Sequence, residues 1–254
     1  MNKMKGTPML LEPTVDKLKL LRLEGMTAAW LEQQKHAEMA TLAFDERFSL
    51  LVDAEWIHRD NKKVSRALQE AKLKLSQACI EGIEYPAKRE LDKSVIRQLA
   101  SCRWIHEHQS VLICGATGVG KSYLACALAH QACRKGYRAL YRRASRLFDE
   151  LKLARADGSY TRFLAKLARA DVLVLDDFGV SPMSDHERRD LLEVLEDRYS
   201  LRSTVITSQL PPQKWHDFLV DPTLADAICD RLLNNSHRLV LSGPSRRKEI
   251  GKDS

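Results

Sequence analysis

The stretch GATGVGKS, residues 115–122, decides the fold because it matches the Gly-x-x-x-x-Gly-Lys-Ser phosphate-loop pattern in full. It follows the short apolar run Val111–Cys114, which predicts a buried strand, and it precedes Leu124 and Leu128 at helical spacing. A strand, a glycine-rich turn and a helix N-terminus form an anion site, since free N–H groups and the helix dipole face the phosphates. A chance glycine-rich turn is the alternative, and this context argues against it.

Two side chains of the loop have predicted chemical roles. Lys121 places a positive charge over the β- and γ-phosphates of a nucleotide, and the Ser122 hydroxyl is suited to ligate Mg²⁺. The predicted phosphate-binding residues are Gly115, Ala116, Thr117, Gly118, Val119, Gly120, Lys121 and Ser122.

A second motif, VLVLDD at residues 172–177, carries four apolar residues that lead into two carboxylates. This pattern is typical of a strand buried on both faces of a parallel sheet, whose C-terminal end is where ligands bind. We expect Asp176 to hold the Mg²⁺ that bridges the phosphates, and Asp177 to polarise the attacking water. An Asp pair alone would favour an N-cap or a solvated turn, but the phosphate loop upstream favours the Mg²⁺ site.

Composition excludes several classes of protein. The chain has 254 residues, of which 44% are hydrophobic, enough for a large domain or for a medium domain plus a small one. No apolar run approaches the ~18 residues that span a bilayer, and no apolar segment follows the basic N-terminus, so we expect neither a membrane protein nor a secretory leader. The six cysteines form no C-x-x-C pair and no zinc pattern, which predicts buried thiols in a reducing cytoplasm.

The net charge of +7 is concentrated in one segment. From Arg134 to Arg169 there are eleven lysines and arginines against three acidic residues, a net charge of +8. This density indicates a polyanionic partner, and nucleic acid above all, although a solvated surface is the alternative. A second basic stripe at helical spacing suits a phosphate backbone or an ordinary surface equally well. It consists of Arg59, Lys62, Lys63 and Arg66.

The N-terminal third has the pattern of helices and the remainder that of an α/β domain. Residues 14–80 show three- and four-residue apolar spacing, and Asp45 is a candidate cap for a helix with one apolar face. That face consists of Phe48, Leu51, Val52 and Trp56. The helix-breaking stretch Gly82–Pro86 predicts a linker, so we expect domains at 1–85 and 86–254.

From about residue 95 short apolar strands alternate with helices, and Ser184 to Glu187 form a capping box at the start of one helix. The predicted strands are 111–114, 139–142, 172–175, 204–207 and 238–241. This order predicts an α/β fold with a doubly wound, mostly parallel five-stranded sheet between helices.

With these motifs in place, the chain resembles the IstB/DnaC group of AAA+ ATPases over nearly its full length, and its N-terminal helical stretches are more similar to IstB. The stretches that carry the resemblance, besides the phosphate loop, are 45–72, 83–104, 173–182 and 227–233. It implies an AAA+ P-loop domain preceded by a small all-α domain, with ATP and Mg²⁺ as cofactors.

The implied function is that of an ATP-dependent transposition helper of a bacterial insertion sequence. Such helpers assemble as homo-oligomers on duplex DNA, deform it, and recruit or stimulate a partner transposase, with ATP hydrolysis resetting the assembly. A DnaC-like replicative helicase loader is the alternative within the group. A DNA-binding module without useful turnover and a small-molecule kinase are alternatives from other classes.

The resemblance also implies roles for residues outside the loop. Ser208, in the polar pair Thr207-Ser208, lies where the family places its γ-phosphate sensor. Arg231 matches an arginine finger that acts on a neighbouring subunit, although such an arginine is also common on a helix surface. The segment from Arg142 to Lys166 corresponds to the DNA-facing region, with Arg142, Arg143, Arg146 and Lys152 as its expected contacts.

Two departures from the family pattern have consequences. Many AAA+ proteins have Glu where Asp177 stands, so the shorter side chain predicts slower hydrolysis. Only 23 residues follow Arg231, which predicts a reduced or absent helical lid, with Arg246 or Arg247 in place of a lid-borne sensor.

Overall fold

The computed structural model describes residues 11–86 and 89–245. Contacts between Cα atoms divide the chain into two compact units, Met1–Arg66 and Ala67–Ser254. Arg246 and Arg247, the predicted substitutes for a lid sensor, lie outside the described residues.

The segment just after the division packs as part of the second unit. Ala71, Ala78 and Ile83 are buried in the same core as the central strands of that unit. By packing, therefore, the units divide after Arg66, before the Gly82–Pro86 break on which the sequence-based division at residue 85 rested.

The first unit is helical, as the sequence predicted. Its elements are α1 (Leu11–Leu20), α2 (Glu24–Gln33), a 3₁₀ turn (Ala37–Thr41) and α3 (Phe44–Ala71), the last of which continues into the second unit. Because α3 begins at Phe44, Asp45 lies in its first turn and not at the N-cap. There its negative charge interacts favourably with the positive end of the helix dipole and stabilises the helix.

The predicted helix is present, and the apolar face that it carries is only partly buried. Leu51 is buried, whereas the other members of the face are exposed: Phe48, Val52 and Trp56. The reason lies in how α2 crosses α3 at Gly25, where a Cβ atom would come within 2.5 Å of the Ala54 carbonyl oxygen. A crossing this close covers a narrow strip of α3 and leaves the neighbouring strip exposed.

The second unit is built on a five-stranded sheet in the order β2-β3-β4-β1-β5. All four strand pairs are parallel, which confirms the predicted sheet, and the ends of each predicted strand agree with the structure to within three residues. The strands are β1 (Ser110–Gly115), β2 (Ala139–Arg143), β3 (Val172–Phe178), β4 (Ser203–Ser208) and β5 (Ser236–Leu241). In this order β4 lies between β1 and β3, so the carboxyl ends of these three strands are neighbours.

Helices cover both faces of the sheet. Successive strand residues point to opposite sides, so a strand of consecutive apolar residues needs a covering layer on each face. Val111 and Ile113 of β1 belong to one buried core, and Leu112 and Cys114 belong to the other. The helices of the second unit are α4 (Lys93–Ala100), α5 (Arg103–His106), α6 (Lys121–Arg134), α7 (Ala144–Ala156), α8 (Tyr160–Ala168), α9 (Asp185–Glu196), α10 (Trp215–Leu219) and α11 (Pro222–Leu233).

The predicted capping box starts α9. The Ser184 hydroxyl accepts a hydrogen bond from the Glu187 N–H at 3.4 Å, and the Glu187 carboxylate accepts one from the Ser184 N–H at 2.7 Å. Two of the N–H groups that a helix start leaves unpaired are thereby satisfied.

The cysteines are free thiols in this unit. Burial raises the pKa of Cys102, Cys114 and Cys126 to about 11, which keeps them protonated and unreactive.

Among the helices that the structure describes, none combines the length and the apolar character needed to cross a bilayer.

Candidate functional site

The predicted phosphate loop connects the end of β1 to the start of α6. Gly115 and Gly120 have φ angles of +148° and +98°, in the region that favours glycine. A Cβ atom at Gly115 would collide with the Leu241 carbonyl, and one at Gly120 would lie 2.6 Å from the Arg89 guanidinium. The loop can therefore hold this path only with glycine at these two positions.

The amino group of Lys121 lies inside the loop. It donates hydrogen bonds to the carbonyl oxygens of Gly115 and Ala116, both at 2.8 Å, and its side chain is mostly buried. The first N–H groups of α6 and the positive end of its dipole stand beside this charge. The loop thus presents a fixed cation and backbone donors, as a polyphosphate requires.

Asp176 lies at the centre of a hydrogen-bond network at the end of β3. Its carboxylate is fully buried, and hydroxyl groups from three other elements donate to it. The donors are Ser122 at 2.8 and 2.9 Å, Thr207 at 2.5 Å and Tyr141 at 2.5 Å. The Lys74 ammonium lies 3.5 Å from the same carboxylate.

This environment keeps Asp176 ionised. Burial by itself would raise the pKa of its carboxyl group, but the three hydroxyl donors, with a contribution from Lys74, hold the pKa below its usual value. Burial and the hydrogen bond to Asp176 raise the pKa of Tyr141, so its hydroxyl remains a donor.

The donor set at this point fits a small divalent cation. The Ser122 hydroxyl and the ionised Asp176 carboxylate are oxygen ligands that already lie in contact, and Mg²⁺ takes one or two such protein ligands along with substrate phosphates.

Asp177 has a strained backbone at a β-bulge. Its φ angle is +61°, and the pairing of β3 with β4 shifts register between Leu175 and Phe178. The Asp177 N–H donates to the Thr207 hydroxyl at 3.0 Å, and its carboxylate lies 3.0 Å from the Arg143 guanidinium. Strain of this kind is found where a side chain must be held at a site of chemistry.

A cavity of about 510 Å³ opens over the loop, within the usual volume range of small-molecule sites. Lys121 and Ser122 line it from the loop side, and Asp177 and Gln209 line it from the strand ends. Lys74 and Arg89 add two more cationic side chains to its wall. A cavity with this charge suits a nucleoside polyphosphate.

Comparison with known proteins agrees with this geometry. A model of the family described as IstB-like ATP-binding proteins matches residues 16–254. The chain belongs to the IstB-like ATP-binding protein family.

Relatives within the IstB-like family are similar over almost their whole length. An insertion sequence ATP-binding protein of Sinorhizobium fredii is 47% identical over 246 residues, covering 97% of this chain and all of that protein. The ATP-binding protein of insertion sequence IS21 from Pseudomonas aeruginosa is 31% identical over 237 residues, covering 93% of this chain and 88% of that protein.

Solved structures share the fold. The crystal structure of the DnaC helicase loader has a TM-score of 0.55 at 24% identity and covers 65% of this chain and 97% of its own. The replication initiator DnaA bound to AMPPCP and single-stranded DNA has a TM-score of 0.56 at 18% identity, over 70% of this chain and 54% of its own. The likeness confirms the α/β fold around a five-stranded sheet that the sequence predicted.

The predicted γ-phosphate sensor requires a correction. Ser208 is fully buried, and its hydroxyl donates to the Phe178 carbonyl at 2.8 Å and accepts from the Leu210 N–H at 3.1 Å. Because neighbouring strand residues face opposite ways, Thr207 is the member of the pair that faces the site. Its hydroxyl joins the two aspartates, and the side chain that reaches the cavity from this strand end is Gln209.

Arg231 lies on α11 and does not line the cavity over its own phosphate loop. Its guanidinium pairs with Glu196, donates to the Ala227 carbonyl at 2.8 Å and lies 5.9 Å from the Tyr199 ring. The predicted action on a neighbouring subunit stays a prediction.

The predicted DNA contacts differ in their exposure. Arg142 is buried, and its guanidinium binds Glu150 at 2.8 Å and the Tyr141 carbonyl at 2.7 Å, so it is not available to a DNA backbone and that assignment was wrong. Arg143 is half exposed and pairs with Asp177. The remaining candidates are exposed: Arg59, Lys62, Lys63, Arg66, Arg146 and Lys152.

Three residues of the site gave little signal in the sequence. Tyr141 is one residue in an apolar strand, and Thr207 is distinguishable from Ser208 only once the strand register is known. Lys74 reaches Asp176 across 102 positions of the chain. Gln209 had a signal that was available, since it is the first polar residue after the Thr207-Ser208 pair.

Proposed function

We propose that the chain is a cytoplasmic, DNA-stimulated ATPase that assembles on duplex DNA and recruits or stimulates a partner transposase. The observation that carries the ATPase assignment is the contact between Ser122 and Asp176, at 2.8 Å, beneath a phosphate loop that opens into a cavity of nucleotide size. The names of its relatives support the link to insertion sequences.

Each residue of the site has one task in this proposal. The loop amides and Lys121 bind the triphosphate, and Ser122 with Asp176 would hold Mg²⁺, which neutralises charge on the β- and γ-phosphates when bound. Thr207 orients both aspartates through its hydroxyl, and Asp177 accepts a hydrogen bond from the attacking water. Phosphoryl transfer needs this positioning and charge neutralisation more than it needs covalent participation by the protein.

The contact between Arg143 and Asp177 offers a route from DNA to hydrolysis. Arg143 is the last residue of β2 and lies within the basic segment from Arg134 to Arg169, and its side chain is 52% exposed. A DNA phosphate that attracts this guanidinium would compete with the Asp177 carboxylate for it, which leaves the carboxylate available to water. Hydrolysis would then follow the binding of DNA.

We therefore expect Arg143→Gln to raise DNA-free ATP hydrolysis by about fivefold, the effect of one half-exposed ion pair, and to reduce the further increase on adding DNA. The measurement is steady-state phosphate release with and without duplex DNA. The matched control is Arg146→Gln, an exposed neighbour that should weaken DNA binding and leave the DNA-free rate unchanged. A lower DNA-free rate in Arg143→Gln would mean that Arg143 holds Asp177 in its productive position, contrary to the proposal.

We propose that assembly on DNA depends on the attraction between basic side chains and the DNA phosphates. Arg146 and Lys152 on α7 are exposed, and they lie in the segment with a net charge of +8. Contacts of this kind go to the phosphate backbone and carry little sequence information.

Binding to duplex DNA should accordingly weaken steeply with salt, by about −0.9 in the log–log slope for each phosphate neutralised. The double variant Arg146→Glu, Lys152→Glu should weaken binding to all duplex sequences alike and make the slope shallower by about two. Fluorescence anisotropy over a salt series measures both quantities, with the exposed Arg103→Glu, outside both basic stretches, as the control. A loss restricted to one DNA sequence would contradict backbone binding.

A further inference from the structure

Asp176 is a buried carboxylate whose hydrogen-bond donors are mostly neutral. Ser122, Thr207 and Tyr141 contact it through hydroxyl groups. Among the ion pairs within the described residues, its one cationic partner is Lys74, with 3.5 Å between the ammonium nitrogen and the carboxylate oxygen. A buried ionised group is costly without a counter-charge, so Lys74 has a specific electrostatic task.

Lys74 is also a residue of the cavity wall. It follows α3 and the left-handed Lys72, whose φ angle is +51°, and its side chain is 40% exposed. It lines the same cavity as Lys121 and Ser122. One ammonium group therefore touches the buried carboxylate and faces the space over the phosphate loop.

We infer that Lys74 is a nucleotide-binding residue outside the phosphate loop, which acts as an internal substitute for the metal ion. The inference rests on the proposed function, since it takes the cavity to be the ATP site. Without Mg²⁺, the Lys74 ammonium bridges Asp176 and the polyphosphate and lets ATP bind. When Mg²⁺ binds at Ser122 and Asp176, Lys74 moves off the carboxylate, because two cations so close together repel each other.

Two consequences distinguish this role from that of an ordinary phosphate contact. Removal of the Lys74 side chain should lower the affinity for ATP without Mg²⁺ and change it little when Mg²⁺ is saturating. It should also compete with Mg²⁺, so that its removal lowers the Mg²⁺ concentration needed at the site.

The test measures binding of an ATP analogue with a fluorescent group on the ribose to the full chain, in EDTA and in saturating Mg²⁺. We expect the wild type to bind in both conditions. Lys74→Met should bind about tenfold more weakly in EDTA, the effect of one charge-assisted hydrogen bond, and within about threefold of wild type in Mg²⁺. Its half-saturating Mg²⁺ concentration should fall below that of the wild type.

Two further variants separate charge from folding. Lys74→Arg keeps the charge and should retain binding in EDTA, whereas Lys72→Met, a change at a neighbouring lysine outside this cavity, should behave as wild type. Equal weakening of Lys74→Met in both conditions, unchanged binding in both, or a wild type that needs Mg²⁺ to bind at all would each overturn the inference. A wild type that fails to bind even in Mg²⁺ would instead overturn the proposed ATP site.

Discussion

Lys121→Ala should raise the dissociation constant for ATP by about a hundredfold or more, because the phosphates lose the cation fixed inside the loop. The Lys121 amino group is held inside the loop by two carbonyl oxygens, whereas Lys74 and Arg89 lie on the wall of the cavity. Isothermal titration of the variant with ATP and Mg²⁺ measures the change directly.

The control for Lys121→Ala is Lys135→Ala, a change of an exposed lysine at the C-terminal end of the same helix, α6. It removes the same charge and should leave ATP affinity unchanged. Because Lys121 is mostly buried, thermal unfolding of each variant shows whether the fold is retained. Near-normal ATP affinity in a folded Lys121→Ala protein would refute the assignment of the phosphate loop.

Arg231→Ala should bind ATP as the wild type does and lose DNA-stimulated hydrolysis by about a thousandfold, the lower end of the effect of an arginine finger. The reason is that Arg231, on α11, does not line the cavity of its own chain, and the resemblance in sequence predicts that it supplies a cation to the next subunit. Single-turnover hydrolysis in the presence of duplex DNA measures the loss.

Glu196→Gln separates this role from a structural one. In the free chain Glu196 pairs with Arg231, so the substitution removes the same ion pair and keeps the guanidinium. If Arg231 serves only to hold α11 against α9, the two variants should lose activity together. If it serves a neighbouring subunit, Glu196→Gln should retain hydrolysis.

The sheet was predictable from sequence because each strand has a short apolar run, and in β1, β2, β3 and β4 that run is buried on both faces. Val172–Leu175 leads directly into the two aspartates, and the phosphate loop fixes which strand is β1. The Ser184–Glu187 capping box was predictable for a related reason, since all its hydrogen bonds are local.

The features that the sequence did not reveal depend on distant parts of the chain. Which side of the sheet the side chains of Thr207 and Ser208 face depends on the register of β4 and on a bulge in its neighbour β3. The exposed strip of α3 depends on how closely α2 approaches at Gly25. In the sequence Arg142 is one cation in a basic run, but it lies on a buried strand and its guanidinium pairs with Glu150.

We propose that the ATP site is completed between subunits on DNA, with Arg231 of one chain serving the phosphate loop of the next. Mixing Lys121→Ala chains, which lack the loop cation but keep Arg231, with Arg231→Ala chains, which keep an intact loop, tests it most directly. We expect phosphate release in the presence of duplex DNA, absent for either variant alone, to return in part in the mixture and to be greatest at an intermediate ratio. Mixed assemblies that form on DNA and yet hydrolyse no ATP at any ratio would contradict it.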